Sequence, residues 1–275
     1  SELNKNDLFP SLNMKYQMNE KNSLRFAFSR TVTRPSFIEM APFLYQESYG
    51  SAQIRGNADL KNGYNYNIDL RYELFEKNGD MLSITAYYKH LKAPIERVQT
   101  LSGGSAVHSF RNADNGMATG VEIEFRKEIV KDLRFGVNGS YMYTNVKLPE
   151  GGAYTNSQRA LQGASPYLAN ADLTYSPAFS NDRQLSVALL YNLQGPRIHS
   201  VGISGLGDIK QQPVHTLNFT GSYRFNRRFA VKLQVNDLLN QDILFKQEVP
   251  TTGDKVEVER FRKGTGFEVG FSYDL

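Results

Sequence analysis

The sequence predicts an all-β fold: an antiparallel transmembrane β-barrel wall of roughly eleven strands. Three observations predict it. Apolar and polar residues alternate strictly in segment after segment, the mark of strands with two unlike faces. Short and long connections alternate along the chain, as they must when turns of one kind gather on one side of a bilayer. Tyr and Phe number 16 and 17, yet mean hydropathy is only −0.48. Strands that hide apolar side chains in every second position explain that pairing, and no run of about 20 apolar residues exists for a spanning helix.

The elements follow in chain order. Leu12, Met14, Tyr16 and Met18 form the first alternating set, and Leu24, Phe26 and Phe28 the second. Tyr64, Tyr66, Ile68, Leu70, Tyr72 and Leu74 form the third; Leu82, Ile84, Ala86 and Tyr88 the fourth. In the fifth, Val121, Ile123 and Phe125 face away from Glu122, Glu124 and Arg126. The sixth runs Leu133, Phe135, Val137, Gly139, Tyr141, Tyr143, and the seventh Tyr167, Ala169, Ala171, Leu173, Tyr175. Leu185 to Leu193, Leu217 to Phe225, Val231 to Val235 and Phe267 to Leu275 complete the series. Most approach the roughly 9–11 residues that cross a bilayer at a tilt.

Short turns are expected at Asn19 to Asn22, Glu76 to Gly79, Glu128 to Lys131, Ser176 to Asp182 and Asn226 to Arg228. Long loops are expected over 31–63, 91–117, 148–165, 195–212 and 240–262. Tyr16, Tyr72, Phe75, Phe125, Tyr175, Tyr223, Phe225, Phe229 and Tyr273 cluster at the short-turn ends, where an aromatic girdle belongs because a ring suits both apolar and wet surroundings. With the closing strand ending at the periplasm, the short turns are periplasmic and the long loops external.

Composition excludes several functions. There is no Cys, so no thiolate chemistry or disulfide scaffold. The 32 basic and 28 acidic residues are interspersed, unlike the basic stripe of a nucleic-acid binder. His90, His108, His199 and His215 lack the spacing of a metal-binding His-Glu-x-x-His, so no metal, cofactor or catalytic set is expected. Glu122 and Glu124 share a strand face beside Arg126 and are expected to form a solvated charge ladder. Gly202, Gly205 and Gly207 are followed by Pro213 and not by a helix pattern, which argues against a phosphate loop. The chain begins at Ser1 without a basic-then-apolar leader, as expected if a signal peptide has been removed or the chain is a piece of a longer protein.

The last nine residues resemble the assembly signal of outer-membrane barrels through Glu268, Gly270, Tyr273 and Leu275, with Leu275 where Phe is more usual. Phe9 to Tyr16, then Leu24 to Phe37 with its Arg34-Pro35 loop entrance, resemble a stretch of TonB-dependent receptors, particularly the Bacteroidetes type. Gly56-Asn-Ala-Asp-Leu-Lys61 is similar to that family's Gly-Asn-Pro-Asp-Leu-Lys, with Ala58 for Pro. Asn112 to Glu122 and Val235-Asn-Asp-Leu-Leu-Asn240 resemble two further segments in the family's order.

The resemblance implies that residues 1–275 are the C-terminal portion of a single barrel domain, about half of a 22-stranded barrel, without the plug. It implies outer-membrane location and uptake of a scarce nutrient: a siderophore, haem, cobalamin or oligosaccharide. The implied partners are that nutrient, outer-membrane lipid, the barrel assembly machinery, and TonB acting through the plug. A passive or adhesive barrel is the alternative. Ligand recognition is expected from the loops, at Tyr45, Tyr49 and Arg55, at His108 and Arg111, at Tyr154 and Arg159, and at Arg197 and His199. Arg and Tyr suit anionic or aromatic ligands such as chelated iron.

Overall fold

A computed structural model describes residues 7–46, 53–76, 78–102, 105–150, 154–179 and 182–274. In chain order the first strands are β1 (Ser11–Gln17), β2 (Asn22–Thr33), β3 (Leu44–Tyr45), β4 (Ile54–Arg55), β5 (Gly63–Phe75) and β6 (Met81–Lys92). Next come β7 (Ile95–Ser102), β8 (Ser105–Asn112), β9 (Asn115–Val130), β10 (Leu133–Lys147), β11 (Gln158–Arg159), β12 (Tyr167–Tyr175) and β13 (Gln184–Gln194). The last are β14 (Arg197–Ser200), β15 (Ile209–Gln211), β16 (Val214–Arg224), β17 (Phe229–Asn236), β18 (Ile243–Val249), β19 (Asp254–Phe261) and β20 (Gly266–Tyr273). Among the described residues there is one short helix, α1 (Phe37–Met40), started by a capping box between Ser36 and Glu39.

The wall is the path β1-β2-β5-β6-β9-β10-β12-β13-β16-β17-β20. These are the eleven strands that the alternation predicts, in the same order, and every pairing along the path is antiparallel. The sheet is open: β1 and β20 stand at its two ends. Among the described residues no helix is long and apolar enough to cross a membrane, which leaves the crossing to strands.

Register carries the two faces across the wall, because directly paired residues point to the same side. Phe135, Leu173, Leu189, Phe219, Val235 and Phe267 form one cross-strand row on the outward face. Ser23, Glu73, Ser83, Glu124, Asn138, Asn170 and Asn192 form a row on the inward face. The inward groups bond along the row. Arg25 and Arg71 meet Glu73 at 2.7 and 3.0 Å. Arg126 meets Glu124 at 2.8 Å, so of the charge ladder expected for Glu122 and Glu124 beside Arg126 the Glu124 rung is present. Asn192 donates to Asn170 and Asn170 to Asn138, at 2.5 and 2.8 Å.

Side-chain carbonyls close the short turns. Asn19 Oδ1 accepts from the N–H groups of Lys21 and Asn22, and Asn226 Oδ1 from those of Arg228 and Phe229. Asp132 turns the chain between β9 and β10 with φ of 65°. The turn expected from Glu128 is shorter than that, because β9 continues to Val130 and a bulge at Leu133/Arg134 absorbs the extra residue. Tyr223, Phe225 and Phe229 pack at this end, with ring centroids 4.6 and 5.3 Å apart.

The long loops are structured, with strands that the alternation does not mark. They carry two small sheets of their own, β3-β4-β8-β7 and β14-β15-β18-β19, while β11 adds to the top of β10. Backbone groups in segments this long need partners, and these strands supply them. The most buried apolar side chains, Ile54, Val146 and Leu148, lie in or against this layer, Val146 at the external end of the wall strand β10.

Candidate ligand-binding site

The loop layer stands over the wall's external end. Its centre is a small apolar cluster of Val98, Ala113, Val146 and Leu148, with Tyr154 and Leu161 packed against it. Val146 belongs to the wall strand β10 and pairs with both Gly116 and Arg159, so wall and loops share this core. Cross-links tie three of the long loops together. Gln99 of β7 bonds Ser200 of β14, Gln162 Nε2 donates to the His199 carbonyl at 2.6 Å, and Tyr154 bridges Ile203.

The structure places the expected residues as follows. Tyr45 pairs with Ile54 in β3–β4, and its ring meets Phe43 edge-on at 6.1 Å. Arg55 is exposed beside it. Tyr49 lies outside the described residues. His108 is buried and aligned with Ile54. Arg97 Nε donates to His108 Nδ1 at 2.8 Å, so that nitrogen is an acceptor and the ring proton sits on Nε2. The Gln99 side-chain nitrogen lies 3.0 Å from His108 Nε2.

Arg159 and Glu96 form a buried ion pair, Nη1 to Oε2 at 3.0 Å, with side chains 3% and 6% exposed. Burial holds the Glu96 carboxyl above the usual carboxylate range, against the pull of Arg159 and the Gln162 backbone N–H. Arg159 Nε and Nη2 have no hydrogen-bond partner among the described residues, and neither has the buried Tyr154 hydroxyl. Arg197 Nε donates to Gln211 at 2.7 Å. His199 is exposed, and its ring meets Phe245 edge-on at 4.7 Å.

Two clefts gather four of these groups. One, of about 480 Å³, is lined by Arg111 and Tyr154 with Lys61, Asn57 and Asp59. The other, of about 570 Å³, is lined by Arg159 and Arg197 with Lys210, Gln158 and the β10 edge at Tyr141 to Asn145. Tyr45, Arg55, His108 and His199 line neither. Lys61, Gln99 and Lys210 were not singled out by sequence. A signal for Gln99 existed: Gly103-Gly104 between two β-rich runs marks a two-residue hairpin turn, and Ser102 pairs with Ser105 across it. Among the described residues no three His, Asp or Glu side chains converge as a metal site.

Of the terminal signal, Glu268 pairs with Gln234, Gly270 with Lys232 and Tyr273 with Phe229, all in the β17–β20 ladder. Leu275 lies outside the described residues.

Comparison with known proteins matches residues 2–273 to a family described as the outer membrane protein beta-barrel family. The ferric enterobactin receptor of Pseudomonas aeruginosa is 22% identical over 253 residues, covering 84% of this chain and 33% of its own. The chain thus spans about a third of the length of the curated relative it matches. The crystal structure of a ferric enterobactin receptor mutant from that organism matches with a TM-score of 0.67 at 20% identity, over 96% of this chain and 40% of the other. The siderophore receptor PirA of Acinetobacter baumannii gives 0.65 at 16%, with coverages of 96% and 40%. A copper transporter, OprC, gives 0.67 at 14%, with coverages of 96% and 38%. The likeness is one of fold: an open run of receptor-barrel wall.

Proposed function

The chain belongs to the outer membrane protein β-barrel family of the bacterial outer membrane, and on that premise we propose that it is the C-terminal part of a TonB-dependent receptor for a scarce nutrient. A ferric siderophore is the first candidate, ahead of haem, cobalamin or an oligosaccharide. In this reading, the remainder of the barrel and the plug belong to the same polypeptide, and TonB acts on the plug. The Bacteroidetes-type assignment rests on the sequence motifs and forms part of the proposal.

One observation carries the reading. Cationic and tyrosine side chains converge in two clefts of a loop layer that is packed as a core, above a wall with a polar inner face. Preorganised loops of that kind are what selective capture requires. Guanidinium and phenol groups complement an anionic, aromatic chelate. Relatives named as siderophore receptors support the same substrate class. Arg111 and Tyr154 in one cleft, and Arg159 and Arg197 in the other, are the proposed contacts. Tyr45, Arg55, His108 and His199 are proposed to support the loop framework or its rim, and Tyr49 is a proposed ligand contact on its sequence position alone. The relatives are receptors and transporters by name, in keeping with a role other than catalysis.

The test is uptake of radiolabelled ferric catecholate by iron-starved cells carrying or lacking the gene, with and without TonB. Loss of uptake in both mutants is the expected result. Uptake that persists without TonB would instead favour a passive or adhesive barrel.

A further inference from the structure

The buried Arg159 is engaged on one side of its guanidinium only. Nη1 meets Glu96 Oε2 at 3.0 Å and donates to the Ala160 carbonyl at 3.1 Å. Nε and Nη2 have no hydrogen-bond partner among the described residues and are closed off from water. Those two nitrogens form the side edge of the guanidinium plane, where two parallel N–H groups match the two oxygens of a carboxylate. The side chain is 3% exposed, so the idle edge is not solvated. Burying charged donors without acceptors is costly, and a group left so calls for something that completes it.

Arg159 stands in the wall of the cleft of about 570 Å³, with Arg197 and Lys210. Arg197 gives its Nε to Gln211, and Lys210 is exposed. Two acids stand against these three cations. Asp208, in the same wall, is buried and accepts from the Gly202 N–H at 2.8 Å. Glu96 faces Arg159 from β7, and its partner in the β7–β8 ladder, Arg111, lines the other cleft. Lys246, which pairs with Lys210 in the loop sheet, pairs in turn with Glu257. Three cations against two acids leave one positive charge in excess at the cleft, which suits a monoanion better than a phosphate dianion. The strand β11 is two residues long and holds Arg159 by two ladder pairs, Val146–Arg159 and Lys147–Gln158. Local opening of so short an element costs little, and it lets the idle edge turn to the cleft.

We propose that Arg159 is a specificity-determining contact: its side edge takes, in bidentate fashion, a carboxylate that the ligand carries beyond its metal-chelating groups, with Arg197 and Lys210 in the same subsite. The inference rests on the reading of this chain as part of a nutrient receptor, and it narrows the ligand to an acid.

The test uses the full-length receptor that contains this chain. Equilibrium dialysis with radioiron reads its affinity for the ferric complex of dihydroxybenzoylglycine, whose carboxylate is free, and for that of the methyl ester. The acid is expected to bind about 30-fold more tightly than the ester, the worth of a bidentate charged pair. Arg159→Lys keeps a charge opposite Glu96 but lacks the fork, so this ratio is expected to fall to about 3-fold with affinity for the ester unchanged. Glu96→Gln removes the competing carboxylate and is expected to widen the ratio. Acid and ester bound alike by the wild type would overturn the proposal and leave the receptor reading standing, because a water on the idle edge serves both equally. Tighter binding of the phosphonate analogue, an unchanged ratio in R159K, or an equal loss of both ligands there, the mark of a merely structural role, would also overturn it. Binding of neither complex by the wild type would overturn the receptor reading with it. Heat-modifiable gel mobility checks folding. Should R159K fail to fold, E96Q/R159M, which removes both buried charges, carries the test with a ratio near one expected.

Discussion

Phe219 and Thr220 are neighbours at the middle of β16 and lie at nearly the same depth, but on opposite faces. Phe219 sits between Leu189 and Val235 in the outward row, and Thr220 between Ala188 and Gln234 inside. Replacing each with Arg changes only the face that receives the charge. At the bilayer midplane a lipid-facing Arg costs about 2–4 kcal/mol, equivalent to about 30- to 900-fold in the folding equilibrium. Inside, Thr220→Arg meets a hydrated polar surface, and its cost is expected below about 1 kcal/mol. The protein has no Trp, so heat-modifiable gel mobility across a urea series in lipid vesicles is a suitable assay. The F219R midpoint should fall well below both wild type and T220R. Coincident midpoints for the two variants, or the reverse order, would refute the assignment of faces and with it the barrel reading.

Further outcomes follow from single contacts. Arg159→Met leaves the Glu96 carboxylate buried without its counter-ion, and should cost the loop layer about 3–5 kcal/mol, read as faster amide exchange over the β7–β8 hairpin. In the unaltered protein the Glu96 carboxyl lies above its ordinary value of 4.5. The folded chain therefore holds a proton that the unfolded chain releases. The contribution of this group is present below 4.5 and is lost as pH rises through the folded value, so exchange over the hairpin should quicken across that window. At the periplasmic turn the sign is opposite: the Glu128 N–H and then Asn78 hold Asp80 below its ordinary 3.8. Its contribution is present above that value and fades as pH falls through the folded one, which limited proteolysis at the 76–80 turn should detect. Gly120→Ala would place a Cβ 2.4 Å from the Tyr141 carbonyl and 2.6 Å from the Tyr87 hydroxyl. Overpacking of that kind should cost about 1–3 kcal/mol in the same urea series, and a wild-type midpoint would show that the wall gives way there freely.

The wall was legible because its chemistry repeats with period two. Phe267, Val269, Phe271 and Tyr273 announce a strand with an apolar face, and the structure pairs all four in register with β17. The loop layer follows no such rule. Arg159 looks in sequence like any loop cation, yet it is buried against Glu96, 63 positions earlier, in a contact set by the docking of β11 on β10. Gln99 and Ser200 meet across 101 positions, which no local pattern encodes. The external strands β7 and β8 were legible in part, through Gly103-Gly104; the three-residue β15 and the two-residue β11 are too short to show a period.

The same period that made the wall readable also fixes it. A slip of β5 by one residue would keep its backbone pairing possible but would exchange its faces. Asp69, Arg71 and Glu73 would then enter lipid while Ile68, Leu70 and Tyr72 turned inward. The Arg71 charge alone costs about 2–4 kcal/mol at midplane. Adding Asp69 and Glu73, and breaking the ties of Glu73 to Ser23, Arg25 and Arg71, takes a large share of the roughly 5–15 kcal/mol that holds a domain folded. Each inward charge thus acts against misregister, and β6, β9 and β10 inherit the same alignment through Ser83, Glu124 and Asn138. The outward cations at Arg30, Lys92 and Lys147 break this economy at the external rim, and Lys127, paired with the outward Phe135, does so near the periplasmic end; at both ends the strand leaves the apolar band and a charged side chain meets headgroups in place of acyl chains.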